Sequence, residues 1–141
     1  MPGYLLDTNV ISEISRRSAA TEVEAWIDAR DAQDLFLSVV TIGELTRGIH
    51  RLPIGQRRHR HQTWLDNDLT RQFLGRVLPF ERVTAEICGR LLGEAMRRGQ
   101  SKPPIDTQIA ATAIQHNLSL VTRNVRDFAN LDLEVINPWD G

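Results

Sequence analysis

Gly3-Tyr4-Leu5-Leu6-Asp7-Thr8-Asn9-Val10-Ile11-Ser12 decides how the rest of the chain is read. Tyr4 to Leu6 is a short, unbroken apolar run, the pattern of a strand covered on both faces. Asp7 stands where that strand ends. Thr8 and Asn9 are capping types, and Val10, Ile11 and Ile14 follow at helical spacing. A carboxylate at the carboxyl end of a first strand faces the crevice where open α/β sheets bind ligands. A plain capping role accounts for Asp7 equally well when it is taken alone. The arrival of other acids at the same edge is what separates the two readings.

Outward from this stretch, strands and helices alternate. Residues 21–30 read as a helix with Val23, Trp26 and Ile27 on one face. Residues 35–38 read as a second strand. The helix predicted over 40–52 has the apolar stripe Ile42, Leu45, Ile49 and Leu52, with Thr41, Glu44 and Gly48 on another face. Pro53 ends it. Residues 54–74 read as one long polar helix whose apolar contacts are Trp64, Leu65, Leu69, Phe73 and Leu74. Val77-Leu78 is a brief third strand, stopped by Pro79. A helix over 84–98 turns Ile87, Cys88, Leu91, Leu92 and Ala95 inward, and Gly99 closes it. Residues 105–116 form a slim apolar helix with Asp106 in its first turn and Asn117 as a left-handed cap. Residues 118–122 and 133–136 are the last two strands. This order predicts right-handed crossovers, a central parallel five-stranded sheet and helices on both faces: a doubly wound α/β sandwich. One domain over residues 1–141 is expected from the length.

Composition narrows the function classes. The formal net charge is −1, so bulk charge does not mark a nucleic-acid binder. The basic residues are nevertheless clustered: Arg47, Arg51, Arg57, Arg58 and Arg60 lie close together, with His50, His59 and His61 among them. Lys102 is the sole lysine, and arginine pairs with phosphate through two parallel hydrogen bonds. A solvated helix face is the plainer account of such a run. Cys88 is the only cysteine, so an internal disulfide and a CxxC site are both excluded. No stretch approaches the roughly 20 apolar residues of a membrane helix, and no export signal opens the chain, so a cytoplasmic address is expected.

The acids converge in this arrangement. Asp7 ends strand one, Glu44 follows strand two, Asp106 opens the helix before strand four, and Asn124 and Asp127 follow strand four. With strands one and four as neighbours, all of these places gather at one edge. Clustered carboxylates resist ionising together unless a cation neutralises them. Hard, oxygen-only donors select Mg²⁺ or Mn²⁺ over zinc, and such an ion activates water for in-line phosphoryl transfer. Each acid has a structural alternative: a surface position for Glu44, dipole capping for Asp106, and an N-cap with its partner for Asn124 and Asp127.

Four stretches carry a resemblance that spans essentially the whole chain. They are residues 6–12, Ser38-Val39-Val40-Thr41-Ile42-Gly43-Glu44-Leu45, Asp106-Thr107-Gln108-Ile109-Ala110-Ala111-Thr112-Ala113 and Leu120-Val121-Thr122-Arg123-Asn124, in that order. With Asn137-Pro138-Trp139 at the end, the chain resembles the PIN-domain ribonucleases, the VapC-type toxins of toxin–antitoxin pairs, and within them the FitB-like branch. The resemblance implies a Mg²⁺- or Mn²⁺-dependent endoribonuclease that forms a homodimer and is blocked at its active site by a small DNA-binding antitoxin. Assembly with that antitoxin on operator DNA would follow. Asp7, Glu44 and Asp106 match the family's first three acidic positions. The fourth, often Asp, is Asn124 here, with Asp127 nearby, and this leaves a one-metal site open. Thr8, Asn9 and Thr122 are expected to support the acids. The stretch from Arg47 to Arg60 is expected to hold the RNA backbone or the antitoxin, and Trp64, Leu65 and Phe73 to form the dimer patch.

Rival chemistries fit less well. An aspartyl phosphotransferase wants a second Asp where Asn9 stands. A phosphoacceptor domain wants its Asp after strand three, where Pro79-Phe80-Glu81 lies. No GxxxxGK[ST] loop is present. A non-cleaving RNA- or protein-binding domain and a DNase using the same metal chemistry remain as alternatives.

Overall fold

The computed structural model describes residues 2–140. Its five strands, β1 (Tyr4–Leu6), β2 (Leu35–Ser38), β3 (Val77–Leu78), β4 (Ser119–Val121) and β5 (Val135–Ile136), form one parallel sheet in the order β3-β2-β1-β4-β5. The chain steps outward from β1 through β2 to β3, then returns to build β4 and β5 on the other side. The β1–β4 pair is therefore the topological switch point, where the helices that follow the two strands diverge and leave a crevice. Tyr4, Leu5 and Leu6 pair in register with Ser119, Leu120 and Val121.

Alternation along the strands builds two cores. Leu6, Leu35, Leu37 and Val121 face one layer, made by α1 (Thr8–Ile14), α2 (Thr21–Asp28), α3 (Val39–Arg51) and the segment around Leu65 and Leu69. Leu5, Phe36 and Leu120 face the other, where α7 (Pro104–Gln115) lays Ile109, Ala110 and Ala113 on the sheet. The small alanines bring α7 close to the strands. A long helix, α6 (Arg82–Arg97), packs outside it, with Cys88 and Ala95 buried. Burial pushes the Cys88 thiol pKa up, in keeping with a core residue and not a reactive one.

The structure corrects the expected course of residues 54–74. Ile54 is exposed, and the helix begins after Gly55 as α4 (Gln56–Thr63). It widens into a π-helical segment, Trp64–Leu69, before the short α5 (Thr70–Gln72). The reason lies in the spacing of Leu65, Leu69 and Phe73. Residues four apart drift by about 40° per step around an α-helix. A wider π turn cancels that drift. All three side chains then enter the core, with Leu65 4% and Phe73 1% exposed. Trp64 is half-buried against the same core, and Leu74 is exposed instead of packed. Of the dimer patch expected from Trp64, Leu65 and Phe73, the last two are thus interior and Trp64 keeps a partly exposed ring.

Three smaller corrections follow. The N-cap of α1 is Asp7, so the helix starts at Thr8 and neither Thr8 nor Asn9 caps it. The helix expected over 84–98 begins two residues earlier, where the Thr84 hydroxyl accepts the Glu81 N–H at 3.1 Å. The last strand is shorter than 133–136 because the Leu133 N–H turns back to the Leu131 carbonyl at 2.8 Å.

Candidate functional site

Asp7 is fixed first by its backbone. Its N–H donates to the Val121 carbonyl at 2.9 Å, which carries the β1–β4 ladder one step beyond the strands. Its side chain is 3% exposed and serves two ends. Oδ1 accepts the Thr8 N–H at 2.8 Å and caps α1, while Oδ2 accepts the Thr122 hydroxyl at 2.7 Å and the Asn9 amide at 3.3 Å. Capping and site chemistry, alternatives in the sequence, are here divided between two oxygens of one carboxylate. Thr122 and Asn9 extend the lacing. The Thr122 hydroxyl accepts the Asn124 N–H at 3.1 Å and the Asn9 amide at 3.2 Å, and Asn9 Oδ1 accepts the Arg123 N–H at 3.2 Å. The residues after β1 and after β4 are thereby tied into one network.

Glu44 comes from α3, which Ser38 starts by accepting the Val40 N–H at 3.0 Å. Glu44 Oε1 accepts the Thr8 hydroxyl at 2.6 Å, and that hydroxyl also lies 3.2 Å from the buried Thr41 hydroxyl. Thr8 has one proton to give, so Thr41 donates to Thr8 and Thr8 to Glu44. Asp106 sits in the first turn of α7, just after Pro103 and Pro104, where a helix start favours negative charge. Asn124 precedes a 3₁₀ turn, Val125–Phe128, that contains Asp127. Its side chain makes no capping bond, so capping does not account for it.

The electrostatics are those of an acid cluster that makes no ion pair among the described residues. Burial raises the Asp7 pKa, the bonds from Thr122 and Thr8 partly offset this, and the charges of Glu44 and Asp127 raise it further. Asp106 is pushed up to about 6, by burial first and then by Asp7, Asp127 and Glu44. Among the described residues the ion pairs are Arg16 with Glu13 and Arg82 with Glu86, so none of these four acids has a cationic partner. The acids sense one another, yet among the described residues no three of them close on a single point. Mg²⁺ binds through one or two carboxylates and keeps several waters, so it does not require three acids closed on one point. The donors are oxygens throughout, and the fit is to a hard cation.

Asp7, Thr8, Asn9, Glu44, Asp106 and Asn124 line one cleft of about 400 Å³. Asp127 stands behind it, on a neighbouring groove that it shares with Asn124. Of the basic run, Arg57 lines a groove beside Glu44, and Arg60 lines another near Arg16. Arg47 and Arg51 are exposed on and near the end of α3, Arg58 is half-buried on α4, and none of the three lines the acid cleft.

Sequence reasoning missed two arginines that do line this cleft, Arg16 and Arg123. Arg16 lies in the turn just past α1, two residues after Ile14, where no helical periodicity marks it. Arg123 is held 4.9 Å from the centre of the Trp139 ring, a contact between two loops that no local pattern announces.

The chain is similar to known proteins along nearly its whole length. A family model described as "PIN domain" matches residues 4–133. The VapC ribonuclease Y4jK of Sinorhizobium fredii is 38% identical over 136 residues, covering 96% of this chain and 97% of that protein. The toxin FitB of Neisseria gonorrhoeae is 38% identical over 135 residues, covering 96% and 97%. Among solved structures, that of FitAB bound to an IR36 DNA fragment superposes with a TM-score of 0.89 at 35% identity, covering 96% of this chain and 95% of that one.

Proposed function

Since the chain belongs to the PIN-domain family, among its VapC- and FitB-type members, we propose that it is a metal-dependent endoribonuclease and the toxin of a type II toxin–antitoxin module. The observation that carries this reading is the unneutralised acid cluster at the β1–β4 switch point, with Asp7 buried at its centre. Asp7 and Asp106 would hold Mg²⁺ or Mn²⁺, with Glu44 beside them and Asn124 at the rim. An ion held there would supply positive charge for a phosphoryl transition state and would make an attacking water more acidic.

The protein residues prepare that chemistry. Thr8, Asn9 and Thr122 hold Asp7 in one orientation at the lining of the cleft. Thr8 donates to one oxygen of Glu44 and leaves the other to ligate or to orient a water. Asp106 is protonated below about pH 6 and ready to ligate above it. Asn124 brings an amide oxygen without charge, and Asp127 adds negative potential from behind; both are secondary ligand candidates. Arg57 and Arg60 are placed to meet RNA phosphate or the antitoxin, whereas Arg47, Arg51 and Arg58 belong to the wider basic surface.

The partners proposed are an RNA substrate, a small DNA-binding antitoxin that blocks the cleft, and a second copy of the chain. The FitAB–DNA complex is the support for assembly with the antitoxin on operator DNA. Among the described residues no helix is long and apolar enough to cross a membrane, and action in the cytoplasm is proposed. The test is cleavage of labelled RNA and of matched DNA, with Mg²⁺ or Mn²⁺ and with excess chelator. Cleavage of RNA that stops in chelator supports the reading. Cleavage of DNA alone makes the protein a DNase, and binding without cleavage by protein free of antitoxin makes it a binding domain.

A further inference from the structure

A second region of the surface is lined by positive charge with no acid among its lining residues. The turn after α1 and the stretch from α4 into the π-helical segment enclose a groove of about 360 Å³. Arg16, Arg17, Arg60 and His61 line it, Trp64 adds an aromatic surface, and no carboxylate lines it. The whole chain has a formal charge of −1, so three guanidiniums and an imidazole around one concavity are a local departure. They arrive from two distant parts of the sequence, which a simple charged helix face would not require.

Both walls are built. Glu13 is 9% exposed, and its two oxygens tie down both ends of the turn. One lies 3.5 Å from the Arg16 guanidinium, and the other accepts the Ala20 N–H at 2.8 Å. On the opposite side, Leu65 and Leu69 anchor the π-helical segment in the core, and Trp64 packs against that core. Arg17 and Arg60 have no acidic partner within ion-pair distance among the described residues. Arg16 also lines the cleft of Asp7, Glu44 and Asp106, so the groove runs into the acid cleft at one side chain.

We propose that this groove is a phosphodiester subsite that holds the RNA strand beside the nucleotide that is cut. The inference rests on the ribonuclease reading and adds to it a path for the strand, from the acids past Arg16 to Arg17 and Arg60. Guanidinium groups pair with phosphate through parallel N–H donors. The Trp64 ring offers a face for an unpaired base. Contacts of this kind grip the backbone and carry no sequence code, so the subsite recognises a strand and not a sequence.

The test is binding of fluorescently labelled oligoribonucleotides to the full chain in excess chelator, over a series of salt concentrations. Arg17→Ala/Arg60→Ala is compared with the parent and with Arg17→Lys/Arg60→Lys. Loss of two phosphate contacts makes the slope of log K against log[salt] shallower by about 1.4, from roughly 0.7 per phosphate on a single strand. The alanine pair lowers affinity for a long strand about tenfold and a trinucleotide by less than twofold, and the lysine pair keeps most of the parent slope. In Mg²⁺ or Mn²⁺ the alanine pair raises KM for the long strand with kcat held. Melting temperatures confirm that the variants fold. An unchanged slope, or equal weakening of long and short strands, overturns the subsite while leaving the ribonuclease reading intact. A parent that neither binds nor cuts RNA overturns both. Weakened binding of a polyglutamate peptide with RNA binding unaltered assigns the groove to an acidic protein segment instead.

Discussion

The acid cleft and the basic groove meet at Arg16 and differ in nearly everything else. The cleft is made from chain positions that the fold fixes: the end of β1, the residue after β4, the first turn of α7. Its central carboxylate is buried and held by three donors. The groove is made from exposed arginines on a turn and a helix, and among the described residues only Arg16 of these has an ion-pair partner. A buried, networked group has one geometry and acts all or none. Exposed cations act additively and are screened by salt. Chemistry is therefore expected to depend steeply on the cleft residues, and strand affinity gradually on the groove residues.

The largest effect expected is from Asp7→Asn. The amide keeps the size and the cap to Thr8 but removes the charge that faces the cation. Cleavage should fall at least 100-fold, the loss of roughly 3 kcal/mol of transition-state stabilisation. The melting temperature in chelator should hold or rise, because a charge that burial and Glu44 both disfavour is gone. A cleavage assay and a thermal melt on the same preparation check both. Cleavage at the parent rate would place the catalytic centre elsewhere and erase the contrast between the two regions.

Next in size is a coupling between metal and pH. The Asp106 pKa is raised to about 6 in the folded chain from an ordinary 3.8, so the metal-free fold binds this proton more tightly than the unfolded chain does. Its contribution to stability is complete below pH 3.8 and is lost as pH rises through 6. Metal-free protein should accordingly lose this stabilisation between about pH 4 and 6, and Mn²⁺ should restore stability above pH 6 and add little near pH 5. Melting curves with chelator and with Mn²⁺ across that range are the measurement. A Mn²⁺ shift of the same size at pH 5 and pH 7.5 would mean that the ion binds away from Asp106.

How much of this was legible in sequence follows from the same contrast. Asp7, Glu44 and Asp106 could be placed because each is tied to a strand end or a helix start, and strand order brings such places together. Thr8, Asn9 and Thr122 sit beside those anchors and were legible with them. The apolar residues Leu65 and Phe73 were visible but assigned to a dimer patch, because their fit to the core depends on a π turn that residue spacing alone does not force. Arg16 and Arg17 were passed over beside the longer run at Arg47 to Arg60. Their importance comes from a turn pinned by Glu13, a tertiary arrangement. The length of the basic run misled in turn, since Arg60 faces the groove while Arg47 and Arg51 face neither the groove nor the acid cleft.

A middle-sized effect tests whether Asp7 is tuned by its neighbours. Thr122→Val removes the 2.7 Å donor and leaves Oδ2 with Asn9 alone. The lost bond favoured the ionised form, so the Asp7 pKa rises further. The acid limb of the cleavage profile should move to higher pH, with a drop of about tenfold on that limb for a one-unit shift. A rate lowered equally at every pH would make Thr122 a packing residue instead.

The smallest effect expected comes from the cleft's one uncharged position. Asn124→Asp puts a carboxylate where the family often has one, and the present side chain makes no capping bond that would be lost. Without metal, the added charge joins acids that make no ion pair among the described residues, so the melting temperature should fall by a degree or two, as expected for a shift below 1 kcal/mol. With metal the sign reverses, because the same charge now faces a cation, and half-saturation should need a few-fold less Mn²⁺. Titration of cleavage rate against Mn²⁺, beside melts with and without the ion, reads both signs. If the melting temperature falls in both conditions and half-saturation does not move, Asn124 lies outside the reach of the ion, and the cation is held from the β1 and α7 side alone.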